Sequence, residues 1–404
     1  MIIAVAFAAA VLVAALLSFG RFARSVGWRA TVTPLASIIG SGFLICGPLL
    51  AKEFGIGAIG AMALLLLLAY AVGAVIRFNI IHVENLAPNL SWNDPIAWFM
   101  RVAQAVLAIA YAVSVAYYLK LLAEFGMKPF AVPEASHGLI ANMIVTAIIG
   151  VFSVLALSGD LKKVEHAAHG TVSIKLGIIA GMLVALAWWW IMHPGGSGEP
   201  LPPLRMSWAS IPMLLGLLIT VQGFETSRYM GASYDQATRI RSMRYAQIIS
   251  SIIYIAFLAL LTPVLAPASR TEGVAGILDI MEMVAPLLGI FVLAGATASQ
   301  LSAALADSIG AGGLMVEVSR RKLTVRGAFI LAGVLSILVV WLTDPFQVIA
   351  LSSRAFALFY AMQAALALWV AIRTGVGSFA IRIGFSAIAL ICIIAVVAGA
   401  PAEG

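Results

Sequence analysis

Charge is scarce in this chain, and its scarcity excludes a soluble globular protein. Only 10% of the 404 residues are charged, whereas 63% are hydrophobic, and the mean hydropathy is +1.07. Soluble domains carry charge on about a quarter of their residues. The apolar runs are long enough for helices that cross a bilayer, which need about 20 residues each. We therefore expect an all-α polytopic membrane protein rather than a barrel of short alternating strands.

Cysteine is also rare, and several catalytic and channel motifs are missing. The two cysteines, Cys46 and Cys392, lie in apolar runs without a neighbour at metal-ligand spacing, so we interpret both as core residues. The chain has no HExxH sequence, no GxSxG sequence with a plausible catalytic partner and no TVGYG filter. We expect neither an enzyme nor a potassium channel, and no cofactor or bound metal.

Apolar periodicity and length predict about 12 membrane-spanning segments. They are Ile2–Phe19, Thr31–Ala51, Ile56–Ile76, Val102–Leu119, Gly138–Ser158, Thr171–Met192, Trp208–Met230, Ala246–Ala266, Met283–Ser308, Gly327–Thr343, Phe346–Ile372 and Ile383–Ala400.

Basic residues predict how these segments are oriented. Most of the 24 lysines and arginines fall in alternate loops, beginning with Arg21, Arg24 and Arg29 after the first segment. Because loops on the inner face of a membrane are enriched in basic residues, both termini are expected outside, in the cell (inner) membrane. The same rule accounts for the pI of about 9.6 without any nucleic-acid partner. The first segment lacks the basic residues that precede a signal sequence, so we expect it to be retained.

Two segments contain glycines where a helix should be continuous. The first reads SIIGSGFLICGP, with Gly40–Gly42 near the middle of Thr31–Ala51. By itself, this glycine pattern favours close packing of helices. The second, five segments later, reads ITVQGFET around Gly223. An odd offset makes the two broken helices run in opposite directions, which is the arrangement of an inverted repeat around a transporter's midplane site.

The motifs at these breaks resemble a known family. IIGSGF at Ile38–Phe43, and QGFE at Gln222–Glu225 followed by the basic stretch SYDQATRIRSMR, are similar to sequences of the amino acid–polyamine–organocation (APC) superfamily. The resemblance implies a LeuT-like fold of five plus five inverted helices, with helices 1 and 6 discontinuous. It divides the chain into an extra N-terminal helix at 1–20, repeats at 31–193 and 207–373, and a final helix at 377–400.

The same resemblance implies a site for a small zwitterion, such as an amino acid. Amides at the first break are expected to receive its carboxylate, and carbonyls at both breaks its ammonium. The Ile219 side chain occupies the place of an aromatic gate, for which Tyr111 is a substitute. The full set of expected substrate-binding residues is Ile38, Gly40, Ser41, Gly42, Tyr111, Ile219, Gln222, Gly223 and Phe224.

Ionisable residues inside membrane segments are functional candidates because they are costly there. Lys175 either snorkels to the inner interface or loads and releases a proton. The resemblance implies the second role, with its ammonium in the place of a sodium ion. Thr297, in AGATASQ, would be what remains of that cation site, since its neighbour Ala298 is not a hydroxyl residue. We therefore hypothesise proton coupling or exchange without sodium.

Three more charges lie within or near the segments. Glu225 is either a second proton carrier or inner gate, or an ion-pair partner of Arg228. Asp307 is interpreted in the same way. Arg354 is expected to form a structural or gating pair with Glu225 or Asp307, in preference to a substrate contact.

Together these features favour a secondary transporter of amino acids or small amines, with the bilayer and a proton as its partners. The apolar Ile219 and Phe224 weakly favour neutral substrates. The alternatives are a transporter of another solute, such as a nucleobase or carboxylate, and a transport-incompetent sensor or partner subunit with the same fold. The sequence does not predict an oligomeric state.

Overall fold

The computed structural model describes residues 1–19, 21–40, 42–91, 93–130, 132–158, 161–205, 207–231 and 233–401, with the backbone alone at 22 and 161–171. Among its described residues, the first part of the chain forms seven α-helices: α1 (Ile2–Phe19), α2 (Val26–Ile38), α3 (Gly42–Phe54), α4 (Ala58–Leu86), α5 (Pro95–Met127), α6 (Glu134–Ser158) and α7 (Leu161–Met192).

The second part begins with a broken element. It consists of the short helix α8 (Ile211–Gly216) and two 3-10 segments, Leu218–Val221 and Phe224–Tyr229. The remaining helices are α9 (Gln236–Leu261), α10 (Leu265–Ala268), α11 (Ile277–Val284), α12 (Leu288–Val318), α13 (Val325–Leu342), α14 (Pro345–Thr374) and α15 (Phe379–Ala398).

Polar residues start several of the long helices by capping free backbone amides. Asp94 accepts a hydrogen bond from the Ile96 amide at 2.8 Å, and Pro95 supplies a preset first turn to α5. Asp344 and Gln347 form a reciprocal capping box at the start of α14. Such caps fix the helix ends near the membrane surfaces, where the sequence is polar.

Apart from the broken element at 208–230, the predicted segments are found as α-helices, and several are longer than the apolar pattern suggested. Within the described residues, ten helical stretches are long and apolar enough to cross a membrane. Neither α2 nor the element at 208–230 is among these stretches, so the number of crossings stays a prediction. The bounds Ile56–Ile76 were too short: α4 continues to Leu86 and buries Arg77, whose guanidinium donates to Gln247 at 2.7 Å.

The added N-terminal helix α1 packs closely along α7. A Cβ atom at Gly177 would lie 2.5 Å from the carbonyl oxygen of Ala10, and one at Gly181 would lie 2.5 Å from that of Ala6. Glycines one helical turn apart therefore let the two backbones touch, as in other membrane helix pairs. This contact places α1 against the helix that carries Lys175.

Candidate functional site

Both predicted breaks are present, and each frees backbone groups inside the bundle. At the first break, α2 ends at Ile38 and α3 begins at Gly42. At the second, the chain is extended at Gln222 and left-handed at Gly223, whose φ is +116°. A glycine is required there because side chains disfavour that backbone conformation. Ser41, one of the predicted carboxylate-binding residues, lies outside the described residues.

Side chains from other helices satisfy many of the freed groups. The hydroxyl of Tyr254 on α9 lies 3.2 Å from the Ile38 carbonyl oxygen and also contacts the Thr220 carbonyl oxygen. It therefore links the two breaks directly. Ser353 on α14 donates to the Gly216 carbonyl at 2.7 Å and accepts from the Ile219 amide at 2.9 Å. Tyr254 and Ser353 thus complete hydrogen bonds that the broken helices cannot make internally.

The glycines of the first break pack against the second break. A Cβ atom at Gly42 would lie 2.7 Å from the Thr220 Cα, and one at Gly40 would lie 3.3 Å from a ring carbon of Tyr118. Close packing is therefore part of their role, together with any role in binding. The Tyr118 hydroxyl also accepts a hydrogen bond from the Gln222 amide group at 3.2 Å.

Glu225 is fully buried beside the second break. One carboxylate oxygen accepts hydrogen bonds from the Gly223 amide and the Tyr360 hydroxyl, each at 2.9 Å. The other oxygen, Oε1, has no hydrogen-bond partner among the described residues. Glu225 does not form the alternative ion pair with Arg228. The Arg228 guanidinium instead contacts Gln363 and Glu84.

Lys175 reaches the first break from α7. Its ammonium donates to the Ala36 carbonyl oxygen at 2.7 Å, and the side chain is only 6% exposed. The lysine therefore points into the bundle and does not snorkel to the interface. Its positive charge lies at the C-terminal end of α2, where the helix dipole and freed carbonyl groups attract a cation.

The hydroxyl residue of α12 that shares a small cavity with Lys175 is Ser299, whereas the sequence pointed to Thr297. The Thr297 hydroxyl lies 2.9 Å from the Leu293 carbonyl oxygen of its own helix, and its role as what remains of a cation site stays a prediction. Ser299, two residues later, lines a small cavity together with Gly40 and Lys175. Its buried Oγ has no hydrogen-bond partner among the described residues.

Arg354 also has a different partner from the one expected. Its Nε donates to the Gly399 carbonyl oxygen at 2.7 Å, at the end of α15. No ion pair joins it to Glu225 or Asp307, so the predicted pairing with either carboxylate was wrong. The half-buried Arg354 guanidinium instead donates to a free carbonyl group at the C-terminus of α15. Its positive charge also interacts favourably with the negative end of the helix dipole.

A cavity of about 530 Å³ opens beside the two breaks. It extends from α2 and the second 3-10 segment to α5 and the C-terminal half of α12. These parts adjoin the basic loops, so the cavity opens on the face that the sequence predicts to be inside. Its described lining residues are Thr33, Ala36, Ser37, Tyr111, Val172, Thr226, Tyr229, Met230, Ser302, Ala303, Leu305, Ala306, Asp307, Ile309, Gly310, Gly313, Leu314 and Glu317.

The cavity brings Tyr111 and Asp307 together but leaves other predicted binding residues outside its lining. Ile38, Ile219 and Phe224 are buried in the packed layer around the breaks, with exposures of 3%, 2% and 1%. In this conformation the breaks are closed on each other, and the cavity stops one turn short, at Ser37 and Thr226.

The sequence alone did not indicate a role at the breaks for Tyr254, Ser353 or Ser299. Tyr254 and Ser353 act on breaks more than 30 and 130 residues away, and no local pattern shows such a contact. A partial signal was available for Ser353, because a polar serine pair in an apolar segment must find partners within the membrane.

A sequence model of APC-superfamily transporters matches residues 20–399. The chain belongs to the APC superfamily of transporters. An uncharacterized protein of Aquifex aeolicus is 34% identical over 345 residues, which cover 84% of this chain and 83% of that protein. The match to the superfamily begins after α1, so α1 lies outside the matched region.

Solved structures share the LeuT-like fold at low sequence identity. A mutant of the manganese transporter of Eremococcus coleocola is 14% identical, with a TM-score of 0.52 over 93% of this chain and 87% of that one. A Na⁺-coupled sialic acid symporter in a substrate-bound, outward-open state is 15% identical, with a TM-score of 0.54 over 100% and 97%. By its family this chain is thus a multi-pass membrane transporter, and the solved structures support its fold.

Proposed function

We propose that this transporter carries amino acids or related small amines by alternating access around the two breaks. The observation that carries the proposal is the cavity of about 530 Å³ that reaches both broken elements, at Ser37 and Thr226. Its volume is in the range of small-molecule sites, roughly 300–1,000 Å³. The paired breaks offer amides to an anionic group and carbonyls to a cationic group, and an amino acid has both.

We further propose that transport is proton-coupled or an exchange, and does not use sodium. The Lys175 ammonium donates to the Ala36 carbonyl oxygen at the end of α2 and so occupies that acceptor. A positive side chain at that point repels a second cation. Glu225, with one unpartnered oxygen in a fully buried position, is the second candidate for moving a proton.

The expected site changes between conformations. We propose that the substrate meets the amides near Gly40 and Gly42, and the carbonyls near Ile38, Ile219 and Gln222, only when the two breaks separate. We propose that Tyr111, Gly223 and Phe224 also contact the substrate in that state, which is the role that the sequence predicts for them. The proteins of similar structure carry manganese and sialic acid, and at this identity they bear on the fold alone.

Uptake into proteoliposomes tests the proposed function. Purified protein should take up, or exchange by counterflow, at least one member of a labelled panel of amino acids and diamines. Transport of a nucleobase or carboxylate alone would replace the amine assignment with another solute. If no solute moves, although the protein is folded and inserted, the result favours a transport-incompetent sensor or partner subunit.

A further inference from the structure

The cavity wall is acidic. The charged residues among its described lining are Asp307 and Glu317, both on α12, and the lining contains no lysine, arginine or histidine. Asp307 lies deep in the cavity and Glu317 lies near the helix end, towards the mouth. Low-dielectric walls strengthen the field of such charges, so the part of the cavity between Asp307 and Glu317 attracts cations, while the Lys175 ammonium acts at the Ala36 end.

Asp307 is a buried carboxylate without a countercharge. It is 4% exposed, and the Ser114 hydroxyl donates to its Oδ2. No ion pair reaches it from the described residues. Removing a charge from water costs several kcal/mol unless a partner compensates. A carboxylate held by one hydroxyl at the edge of a cavity is therefore suited to a cation that arrives from that cavity.

Tyr111, on the neighbouring helix α5, supplies an independent observation beside Asp307. Its side chain is 5% exposed, it lines the cavity, and its hydroxyl has no hydrogen-bond partner among the described residues. Gly310, one turn beyond Asp307, makes room for the ring, because a Cβ atom there would lie 3.2 Å from two ring carbons. A free hydroxyl can accept from an ammonium group, and an aromatic ring also attracts cations.

We propose that Asp307 and Tyr111 form a receptor for a cationic amine, and that the transported solute carries net positive charge. The substrate class is then basic amino acids or short diamines. This inference rests on the proposed function and restricts its substrates to positively charged amines. The apolar residues that favoured neutral substrates, Ile219 and Phe224, are absent from the cavity lining, whereas the two carboxylates are present.

Ligand binding to the purified full-length protein tests the receptor. The probes are lysine, putrescine and leucine, measured by calorimetry or by ligand-induced thermal shift. We expect lysine and putrescine to bind at least about tenfold more tightly than leucine. Asp307→Asn should abolish that preference, and Asp307→Glu should retain part of it. Asp279→Asn is the matched control, because Asp279 pairs with Lys128 at the surface and should leave binding unchanged.

A competition experiment avoids dependence on a folded variant. In wild-type proteoliposomes, excess putrescine should inhibit lysine uptake, and excess leucine should not. Equal binding or transport of leucine and lysine, unchanged by Asp307→Asn, would overturn the receptor but leave amino-acid transport standing. If the wild-type protein neither binds nor moves any amine or amino acid, the proposed function fails with it.

Discussion

The two breaks are held against each other by a close backbone contact and by one tyrosine hydroxyl. Gly42 approaches the Thr220 backbone so closely that a methyl group cannot be accommodated without movement. The Tyr254 hydroxyl contacts a freed carbonyl of each break. The glycines were recognisable in the sequence because they interrupt an apolar run. Tyr254 was not, because nothing in its neighbourhood along the chain distinguishes it from an ordinary core tyrosine.

Substitution of Gly42 tests close packing at residue scale. Gly42→Ala should destabilise the protein by about 1–3 kcal/mol, because overpacking forces the two breaks apart. The measurement is the midpoint of thermal unfolding in detergent. Gly150→Ala is the control, since a Cβ atom there meets nothing within 4 Å. An unchanged midpoint for Gly42→Ala would show that the contact with Thr220 carries no stability.

Removal of the Tyr254 hydroxyl tests the link between the breaks. Tyr254→Phe should cost about 1–3 kcal/mol, because buried carbonyl groups lose their donor. Tyr245→Phe on the same helix is the control, as Tyr245 is exposed. Equal unfolding midpoints for the two variants would contradict the assigned role. Because phenylalanine keeps the aromatic ring, the loss of stability in Tyr254→Phe is attributed to the hydroxyl and not to ring packing.

At the scale of elements, α1 stands apart from the rest of the chain. It lies outside the match to the APC superfamily, yet it packs tightly on α7 through Gly177 and Gly181. Hydropathy alone predicted its existence but gave it no neighbour. The glycine spacing on α7 could have indicated a close helix contact, although not which helix fills it.

A leucine on α7 should displace α1. Gly181→Leu should lower the unfolding midpoint, because the Ala6 carbonyl oxygen occupies the space where its Cβ atom would lie. Deletion of residues 1–19 should then add little to the loss, since the same contact is already broken. Fully additive losses from the two changes would show that the glycine and α1 act independently. Gly150→Leu serves as the control for bulk alone.

At the scale of the whole molecule, the cavity of about 530 Å³ faces the side predicted to be inside. A membrane-impermeant thiol reagent should therefore label Ser302→Cys from the face that carries the basic loops. Native Cys46 and Cys392 are buried, so their background labelling should be low. Labelling from the opposite face alone would contradict the opening of the cavity towards the basic loops.

The sequence predicts the order of the helices better than it predicts which side chains meet between them. The order of broken and continuous helices followed from glycine positions and apolar length, because both are local properties. The side chains that meet at the cavity did not follow, because Tyr111 and Asp307 are about 200 residues apart and meet only through helix packing. Charges were the least predictable: Arg354 pairs with a helix terminus and not with an acid.

The role of Lys175 at the break is the central claim, and one measurement tests it most directly. Uptake of a transported amine is followed in proteoliposomes with an imposed sodium gradient or an imposed proton gradient, for the wild type and for Lys175→Ala. We predict no stimulation of wild-type uptake by sodium, and loss of gradient-driven uptake in Lys175→Ala. Sodium-dependent uptake that persists in Lys175→Ala would contradict the account.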